Sequence, residues 1–141
     1  MGTTASIAIQ NPATGVITQT TTNFDGYISV AGTILSGYYN RHAKINALIS
    51  LGELRYLEKS PNPYSVTHSN VNPDPGVAVA YHRDAGEDFV EPQSYADFDE
   101  YLDKGINDYA YDYIFIEDQW FVNSFSSGFK LLKDEINANN G

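Results

Sequence analysis

The chain has 141 residues, 42% of them hydrophobic, and a formal net charge of −10 from eight Lys or Arg and eighteen Asp or Glu. This length and composition fit a single globular domain spanning residues 1–141 that buries its own core, rather than a disordered chain. They exclude disulfides and thiolate metal sites because cysteine is absent, and they disfavour membranes and duplex nucleic acid because long apolar runs and cation-rich segments are absent.

The first predicted element is a β-hairpin at the N-terminus. Residues 6–10 alternate weakly in polarity, and residues 16–24 are rich in Thr and β-branched side chains, as strands commonly are. Between them, the sequence Asn-Pro-Ala-Thr-Gly of residues 11–15 is typical of a turn. Two such segments joined by a short turn predict an antiparallel pair of strands.

Two helices are predicted after the hairpin. Gly32 and Gly37 weaken the first, each by about 1 kcal/mol relative to alanine, and Gly32 is a candidate for close packing or for close approach of a ligand. The second is predicted to begin at Asn40 as N-cap and to end at Gly52. The residues expected on their apolar faces are Val30, Ala31, Ile34, Leu35 and Tyr38 in the first helix and Ile45, Leu48 and Ile49 in the second.

A turn-rich segment separates these helices from the next strand. Residues 60–76, called loop 60–76 below, contain four prolines and three asparagines and predict a long surface loop rather than a domain linker. After it, residues 77–81 read as a central strand. Val77 and Val79 would face one side, and two small alanines would face the other.

The C-terminal half predicts a helix, a hairpin and a final helix. Residues 94–106 have helical periodicity, with Ser94 as the expected cap. Residues 109–117 and 120–123 predict a second hairpin that turns at Asp118-Gln119, and residues 128–137 predict the last helix. This order of elements predicts an α+β fold in which helices pack on an antiparallel sheet.

Residues 81–87, Tyr-His-Arg-Asp-Ala-Gly-Glu, place Arg83 in an acidic background. Twelve of the eighteen acidic residues lie between Asp84 and Asp118, where Lys104 is the only base. An arginine kept in such a segment either forms a structural ion pair or binds an anion. Both interpretations stay open at the level of sequence.

Known catalytic and metal-binding patterns do not occur in the sequence. The three histidines, His42, His68 and His82, lack zinc-ligand spacing, and there is no nucleophile elbow, dinucleotide fingerprint or P-loop. We therefore predict no metal, no cofactor and no catalytic residue. Acid–base hydrolysis by Asp84 or Glu87 beside His82 remains an alternative.

Aromatic side chains make up 13% of the chain. Aromatic faces stack on nucleotide bases at roughly 1–3 kcal/mol each, and arginine binds phosphate through paired N–H donors. Aromatic residues also fill cores and subunit interfaces. Stacking combined with selective anion binding is thus one interpretation of the composition, and core packing is the other.

Three motifs occur in order within residues 5–123. Residues 23–27, Asn-Phe-Asp-Gly-Tyr, resemble an H-[WFY]-D-G-Y opening; residues 48–54 resemble L-I-x-L-G-D-L; residues 81–87 resemble Y-H-R-D-x-G-E. Together they resemble the Thoeris anti-defence 1 family, small phage proteins that sequester a bacterial immune signal. The chain departs from the family at Asn23, where histidine is usual, and in its long loop 60–76.

The resemblance implies a protein of the host bacterial cytoplasm that binds a cyclic ADP-ribose isomer without cleaving it. It also implies a homo-oligomer with ligand pockets at subunit interfaces, and some members hold cyclic oligonucleotides at separate sites. Arg83 and Arg55 would contact phosphate, Phe24 and Tyr27 would stack, and Asp84 would orient Arg83 or accept from a ribose hydroxyl. The ligand-binding residues that the resemblance implies are Arg83, Asp84, Tyr81, His82, Phe24, Tyr27 and Arg55.

Two other classes of function remain open. The protein could be an enzyme that degrades a cyclic nucleotide signal. It could also be an acidic inhibitor that binds a host defence protein, with its residues 84–118 imitating the charge of a nucleic acid.

Overall fold

The computed structural model describes residues 3–106 and 108–140, and these form one mixed sheet of eight strands with five α-helices. The strands are β1 (Ala5–Gln10), β2 (Ile17–Phe24), β3 (Leu54–Tyr56), β4 (Val79–Ala80), β5 (Gln93–Tyr95), β6 (Tyr111–Ile116), β7 (Gln119–Ser124) and β8 (Phe129–Leu131). The helices are α1 (Thr33–Tyr38), which continues a π-helical turn (Ile28–Gly32), α2 (His42–Ile49), α3 (Tyr81–Ala85), α4 (Phe98–Lys104) and α5 (Leu132–Asn140).

The strand order of the sheet is β4-β3-β2-β1-β6-β7-β8, and β5 pairs with the first residues of β2. The α+β prediction fits this architecture, and both predicted hairpins, β1–β2 and β6–β7, are confirmed. The sheet is mixed rather than antiparallel, which corrects the prediction: β1 pairs with β6, and β2 with β3, in parallel. Hairpin patterns show only strands adjacent in sequence, and these parallel pairs join distant segments.

Apolar side chains cover both faces of the sheet. In β1, Ile7 and Ile9 belong to the larger cluster, which packs under α1, α2 and α5, whereas Ala8 belongs to a smaller cluster beneath α4. This alternation follows from the two-residue period of a strand. Each fully buried Leu or Ile contributes about 1.5–3 kcal/mol by leaving water.

The two glycines singled out near the first helices behave as predicted. A Cβ on Gly32 would lie 3.1 Å from Leu132 Cδ1, so this glycine permits close packing of α5. Gly52 adopts a φ of +79° and follows the end of α2. The N-cap position of α2 is Arg41, however, and not Asn40.

The prediction of a central strand at residues 77–81 is wrong. Only Val79–Ala80 form a strand, at the end of the sheet order, and Tyr81 begins α3. The four residues Val77–Ala80 are nonetheless buried. Loop 60–76 lies against them, since Ala78 N donates to Ser60 O and Ser60 N donates to Gly76 O. The apolar run is therefore covered by a loop and not by strands on both sides.

Three boundaries in the C-terminal half also differ from the predictions. Residues 93–95 form β5, so helix α4 begins at Phe98 with Asp97, not Ser94, as N-cap; Asp97 Oδ1 accepts from Glu100 N at 2.9 Å. The second hairpin turns at Glu117-Asp118, both with positive φ, one residue earlier than predicted. Residues 129–131 form β8, and the last helix begins only at Leu132.

Candidate functional site

The three sequence motifs meet at one place in the fold. Asn23, near the end of β2, donates from Nδ2 to Glu53 Oε1 at 2.8 Å and to Tyr81 OH at 3.0 Å. Tyr81 N also donates to Glu53 O at 3.2 Å. We call Asn23, Glu53 and Tyr81 the motif junction, because each belongs to a different motif. Side-chain hydrogen bonds thus join segments up to 58 residues apart.

Arg83 makes four hydrogen bonds to oxygen acceptors within the chain, and its Nη2 also lies 3.5 Å from His68 Nε2. Its Nε and Nη2 both donate to the carboxylate of Asp84, at 2.8 and 2.9 Å. Nη1 donates to Pro61 O at 2.6 Å, and Nη2 also donates to Ala78 O at 2.9 Å. A guanidinium has five N–H groups, so one remains for an external acceptor. Of the two interpretations left open by the sequence, these contacts favour the structural ion pair.

Asp84 is the centre of this network, with a side chain only 2% exposed. Besides Arg83, its carboxylate accepts from Ala80 N at 2.8 Å. Burial by itself raises the pKa of Asp84, but hydrogen bonds from Arg83 and Ala80 and the charge of Arg83 outweigh it and hold that pKa below the usual value. Asp84 is therefore an ionised, internally paired group rather than one held ready for a ribose hydroxyl.

His68 ties loop 60–76 to this ion pair. Its side chain is 2% exposed, and Nδ1 accepts from Asp74 N at 2.9 Å, while Nε2 lies 3.2 Å from Asp84 Oδ2. Because Nδ1 is an acceptor, the proton of a neutral His68 is on Nε2 and is donated to Asp84. Asp74 Oδ2 in turn accepts from Tyr64 N and Ser65 N, both at 3.0 Å. Buried polar groups thus fix the loop to α3.

Two predicted ligand residues lie at the surface with other neighbours. The exposed His82 places Nδ1 2.7 Å from Glu87 O and packs its ring on Phe89 at 5.3 Å. Tyr27 precedes the π-helical turn and is 41% exposed. Within the part of the chain that the structure describes, no hydrogen bond or ring contact joins either residue to the motif junction. The structure does not bring all the predicted site residues together.

Arg55 has a different environment from Arg83. Its Cζ lies 5.6 Å from the ring centroid of Phe24 and 5.4 Å from that of Tyr56, and those two rings are 5.3 Å apart. We call Phe24, Arg55 and Tyr56 the Arg55 platform. Nη1 donates to Asn70 Oδ1 at 3.0 Å, whereas the buried Nε has no hydrogen-bond partner among residues 3–106 and 108–140. An unpaired buried donor costs about 1–3 kcal/mol, so a bound acceptor here would be favourable.

Tyr56 is the residue of this platform that the sequence reasoning missed. Strand β3 places Tyr56 beside Phe24 through parallel pairing with β2. A three-residue strand shows no clear alternation, so the sequence carries no usable signal for it. Arg55 and Tyr56 are neighbours in the sequence, but this indicates a binding platform only when Phe24 is known to lie opposite Tyr56 in the sheet.

A polar cleft of about 320 Å³ adjoins the motif junction and is less suited to an anion. Its walls include Asn23 and Glu53 of the junction, together with Glu91 and Tyr109. Two carboxylates on one cleft disfavour a phosphate by like-charge repulsion. The Arg55 platform is therefore the better candidate for an anionic ligand.

The part of the chain that the structure describes contains neither a cluster that could hold a metal ion nor a helix that could span a membrane. No cluster of three or more His, Asp or Glu in residues 3–106 and 108–140 could hold a metal ion. In the same residues, no helix has the length and apolar character needed to cross a bilayer.

Comparison of the chain with protein-family models, with curated proteins and with solved structures found no match. The resemblance to the Thoeris anti-defence 1 family therefore stays a prediction from the three motifs. What the protein binds has to be argued from its own side chains.

Proposed function

We propose that this protein is a phage anti-defence protein that binds a cyclic ADP-ribose isomer in the host bacterial cytoplasm and holds it without cleaving it. The order of the three motifs supports the proposal, and so does their meeting at the motif junction. An ordered set of motifs whose members also contact one another in the fold is more specific than any one of them.

The observation that carries the proposal is the Arg55 platform. Cyclic ADP-ribose isomers combine an adenine with two phosphates, so their binding needs an aromatic face beside a cation. Phe24 and Tyr56 supply partly buried rings, and Arg55 stands over both with its Nε unpaired. Of the two arginines predicted to contact phosphate, Arg55 makes one hydrogen bond to an oxygen acceptor of the described chain and Arg83 makes four.

The oligomer in this proposal comes from the resemblance, which implies ligand pockets at subunit interfaces. The cavity of about 150 Å³ that Tyr56 lines is bordered by Glu58 and by residues of loop 60–76, and Arg55 and Phe24 are not among its lining residues. We propose that a second copy of the chain encloses the rest of the ligand. Binding of cyclic oligonucleotides at a separate site belongs to the same proposal and rests on the resemblance alone.

Release of the bound signal tests sequestration. Purified protein is incubated with cyclic ADP-ribose and its isomers, washed by gel filtration, heated, and the supernatant is analysed by mass spectrometry. Intact nucleotide in the supernatant supports sequestration. Cleaved nucleotide would favour an enzyme that degrades the signal, and no retained nucleotide would favour the acidic protein-binding inhibitor.

A matched pair of variants tests the platform itself. Arg55→Ala and Lys59→Ala remove the same charge from neighbouring positions, but the Lys59 amino group lies over Tyr38, 5.2 Å from that ring centroid, and not over the platform. We expect Arg55→Ala to weaken binding about tenfold or more, since hydrogen bonds to charged groups contribute about 1.5–3 kcal/mol. Lys59→Ala should stay within about twofold of the unmodified protein, by the small contribution expected of exposed charges. Equal losses of affinity in the two variants would show that binding depends on the total positive charge and not on the position of Arg55.

A further inference from the structure

Among the hydrogen bonds of the described residues, one joins loop 60–76 to the Arg55 platform. Asn70 Oδ1 accepts from Arg55 Nη1 at 3.0 Å. The backbone of the same residue is fixed separately, because Asn70 N donates to Asp84 O at 2.9 Å. Asn70 therefore joins the platform to helix α3.

The position of Asn70 is maintained by the rest of the loop. Near the start of loop 60–76, Pro61 O accepts a hydrogen bond from Arg83, and further along the loop His68 contacts both Asp74 and Asp84. These contacts do not involve the Asn70 side chain. The amide of Asn70 could thus leave Arg55 while the loop stays attached.

A carboxamide oxygen is a weak substitute for a phosphate oxygen. Arginine binds a phosphate through paired hydrogen bonds to an oppositely charged group, whereas the carboxamide oxygen of Asn70 is a single acceptor without net charge. With Asn70 as its acceptor, Arg55 still has a buried Nε without a partner in the described chain. An anionic oxygen could replace Asn70 on Nη1 and also reach Nε.

We propose that Asn70 is a positioning residue that occupies Arg55 when no ligand is bound and is displaced by an anionic oxygen of the ligand. This inference rests on the proposed function, because it concerns the regulation of the same platform. Asn70 therefore determines how strong an acceptor must be to bind Arg55: an acceptor no stronger than a carboxamide does not displace Asn70, whereas a phosphate does. Removing the Asn70 side chain lowers the phosphate concentration needed for binding, and replacing the amide by a carboxylate raises it.

The test follows the Nε–Hε signal of Arg55 by NMR while inorganic phosphate is added. The signal is assigned by its loss in Arg55→Lys, which has no Nε–H group. We expect half-saturation of Asn70→Ala at about tenfold lower phosphate than the unmodified protein, equivalent to about 1.4 kcal/mol. Asn70→Asp should need about tenfold more phosphate, because its carboxylate pairs with Arg55.

Asn72→Ala is the control, since it makes the same change in the same loop; among the described hydrogen bonds Asn72 contributes only its backbone, to Ser69. Its midpoint should equal that of the unmodified protein. The inference is overturned if Asn70→Ala and the unmodified protein respond at the same phosphate concentration, or if phosphate shifts the Arg55 signal in neither. Calorimetry with cyclic ADP-ribose isomers separates the two proposals: Asn70-dependent phosphate binding without nucleotide binding would overturn only the proposed function.

Discussion

Two arginines contact loop 60–76, and they differ in how many donors the chain satisfies. Arg83 is held by Asp84 and by two backbone carbonyls, whereas Arg55 has one hydrogen bond, to Asn70. An arginine whose donors are satisfied gains little from a ligand, because each new contact replaces an existing one. We therefore assign a positioning role to Arg83 and propose ligand contact for Arg55.

Arg83→Ala should destabilise the fold by about 2–3 kcal/mol. The change leaves the buried carboxylate of Asp84 without its cation, and breaking a buried ion pair costs up to about 3–5 kcal/mol. The loss is expected to be smaller here because the side chain of Arg83 is 26% exposed. Urea unfolding at neutral pH measures it.

Lys104→Ala is the matched control for that experiment. The Lys104 ammonium pairs with Glu100 at 3.5 Å on an exposed helix face, so its removal should cost less than about 0.5 kcal/mol. Equal small losses in both variants would contradict the structural role of Arg83. The sequence motif at residues 81–87 would then point back to ligand contact by Arg83.

Two buried aspartates should affect stability with opposite dependence on pH. The lowered pKa of Asp84 contributes stability that is present above the ordinary pKa of about 4 and is lost as pH falls through the folded-state value. Burial raises the pKa of Asp112 despite hydrogen bonds from Ser6 and Asn123, so stability falls as pH rises from about 4 through that raised value.

Asp84→Asn should therefore lose the most stability relative to the unmodified protein above about pH 4, and the difference should shrink in acid. Asp112→Asn should show the reverse, gaining relative stability as pH rises. Chemical unfolding of both variants between pH 3 and pH 7 checks the signs. Parallel pH curves for the two variants would contradict the assigned roles.

At the scale of elements, loop 60–76 serves as a structural layer. It covers the buried residues Val77–Ala80, and its contacts with Arg83 and Asp84 fix the end of the sheet beside α3. The helix α3 has only five residues and would not be stable alone. Its position depends on the loop, and the Asn70 contact to Arg55 depends on both.

The sequence predicts elements with strong local patterns and fails where distant segments determine the outcome. Both hairpins, and the turn at Gly52 that follows α2, are predicted from turn residues and periodicity. The strand at residues 77–81 was misplaced because a run of apolar residues does not reveal whether a loop or strands cover it. Ser94 has the right chemistry for a helix cap, but pairing of β5 with β2 leaves that role to Asp97.

The candidate site shows the same limit. Phe24 lies in the first motif and Arg55 directly follows the second, but the contact between them depends on parallel pairing of β2 with the short β3. Arg83 was the prominent arginine in the sequence because of its acidic neighbours. Its hydrogen bonds to Pro61 and Ala78 come from backbone carbonyls, which no sequence pattern marks.

Gly52→Ala and Gly76→Ala separate backbone strain from steric conflict. Their φ angles are +79° and +78°, so alanine should cost each about 1–2 kcal/mol. At Gly52 a Cβ would also lie 2.5 Å from Val90 O, whereas at Gly76 no atom lies within 4 Å. We expect Gly52→Ala to cost about 1–3 kcal/mol more in urea unfolding. Equal losses of unfolding free energy in the two variants would mean that the backbone around Val90 moves away from the new Cβ without a measurable penalty.

At the scale of the whole molecule, long-range pairing joins the N-terminal strand to a strand more than 100 residues later in the sequence. The parallel pairing of β1 with β6 joins residues 5–9 to residues 111–115. A buried hydrogen bond from Ser6 to Asp112 crosses the same pair at 2.6 Å. Neither half can complete the sheet alone.

Charge is unevenly distributed over this domain. Four of the eight Lys and Arg lie between residues 41 and 59, and twelve of the eighteen acidic residues lie between residues 84 and 118. Arg55 belongs to the segment of the sequence that holds half of the cations. A ligand with two phosphates could bind there although the protein as a whole is acidic.

The mass of the protein in solution tests whether one chain suffices for that ligand. The proposed function includes ligand pockets shared between copies of the chain, so we expect light scattering to give a multiple of 15.6 kDa. The same multiple should hold for Arg55→Ala, because this side chain is proposed to contact ligand and not to support the assembly. A monomer that retains full binding would contradict enclosure by a second subunit, since the open platform would then be the complete site.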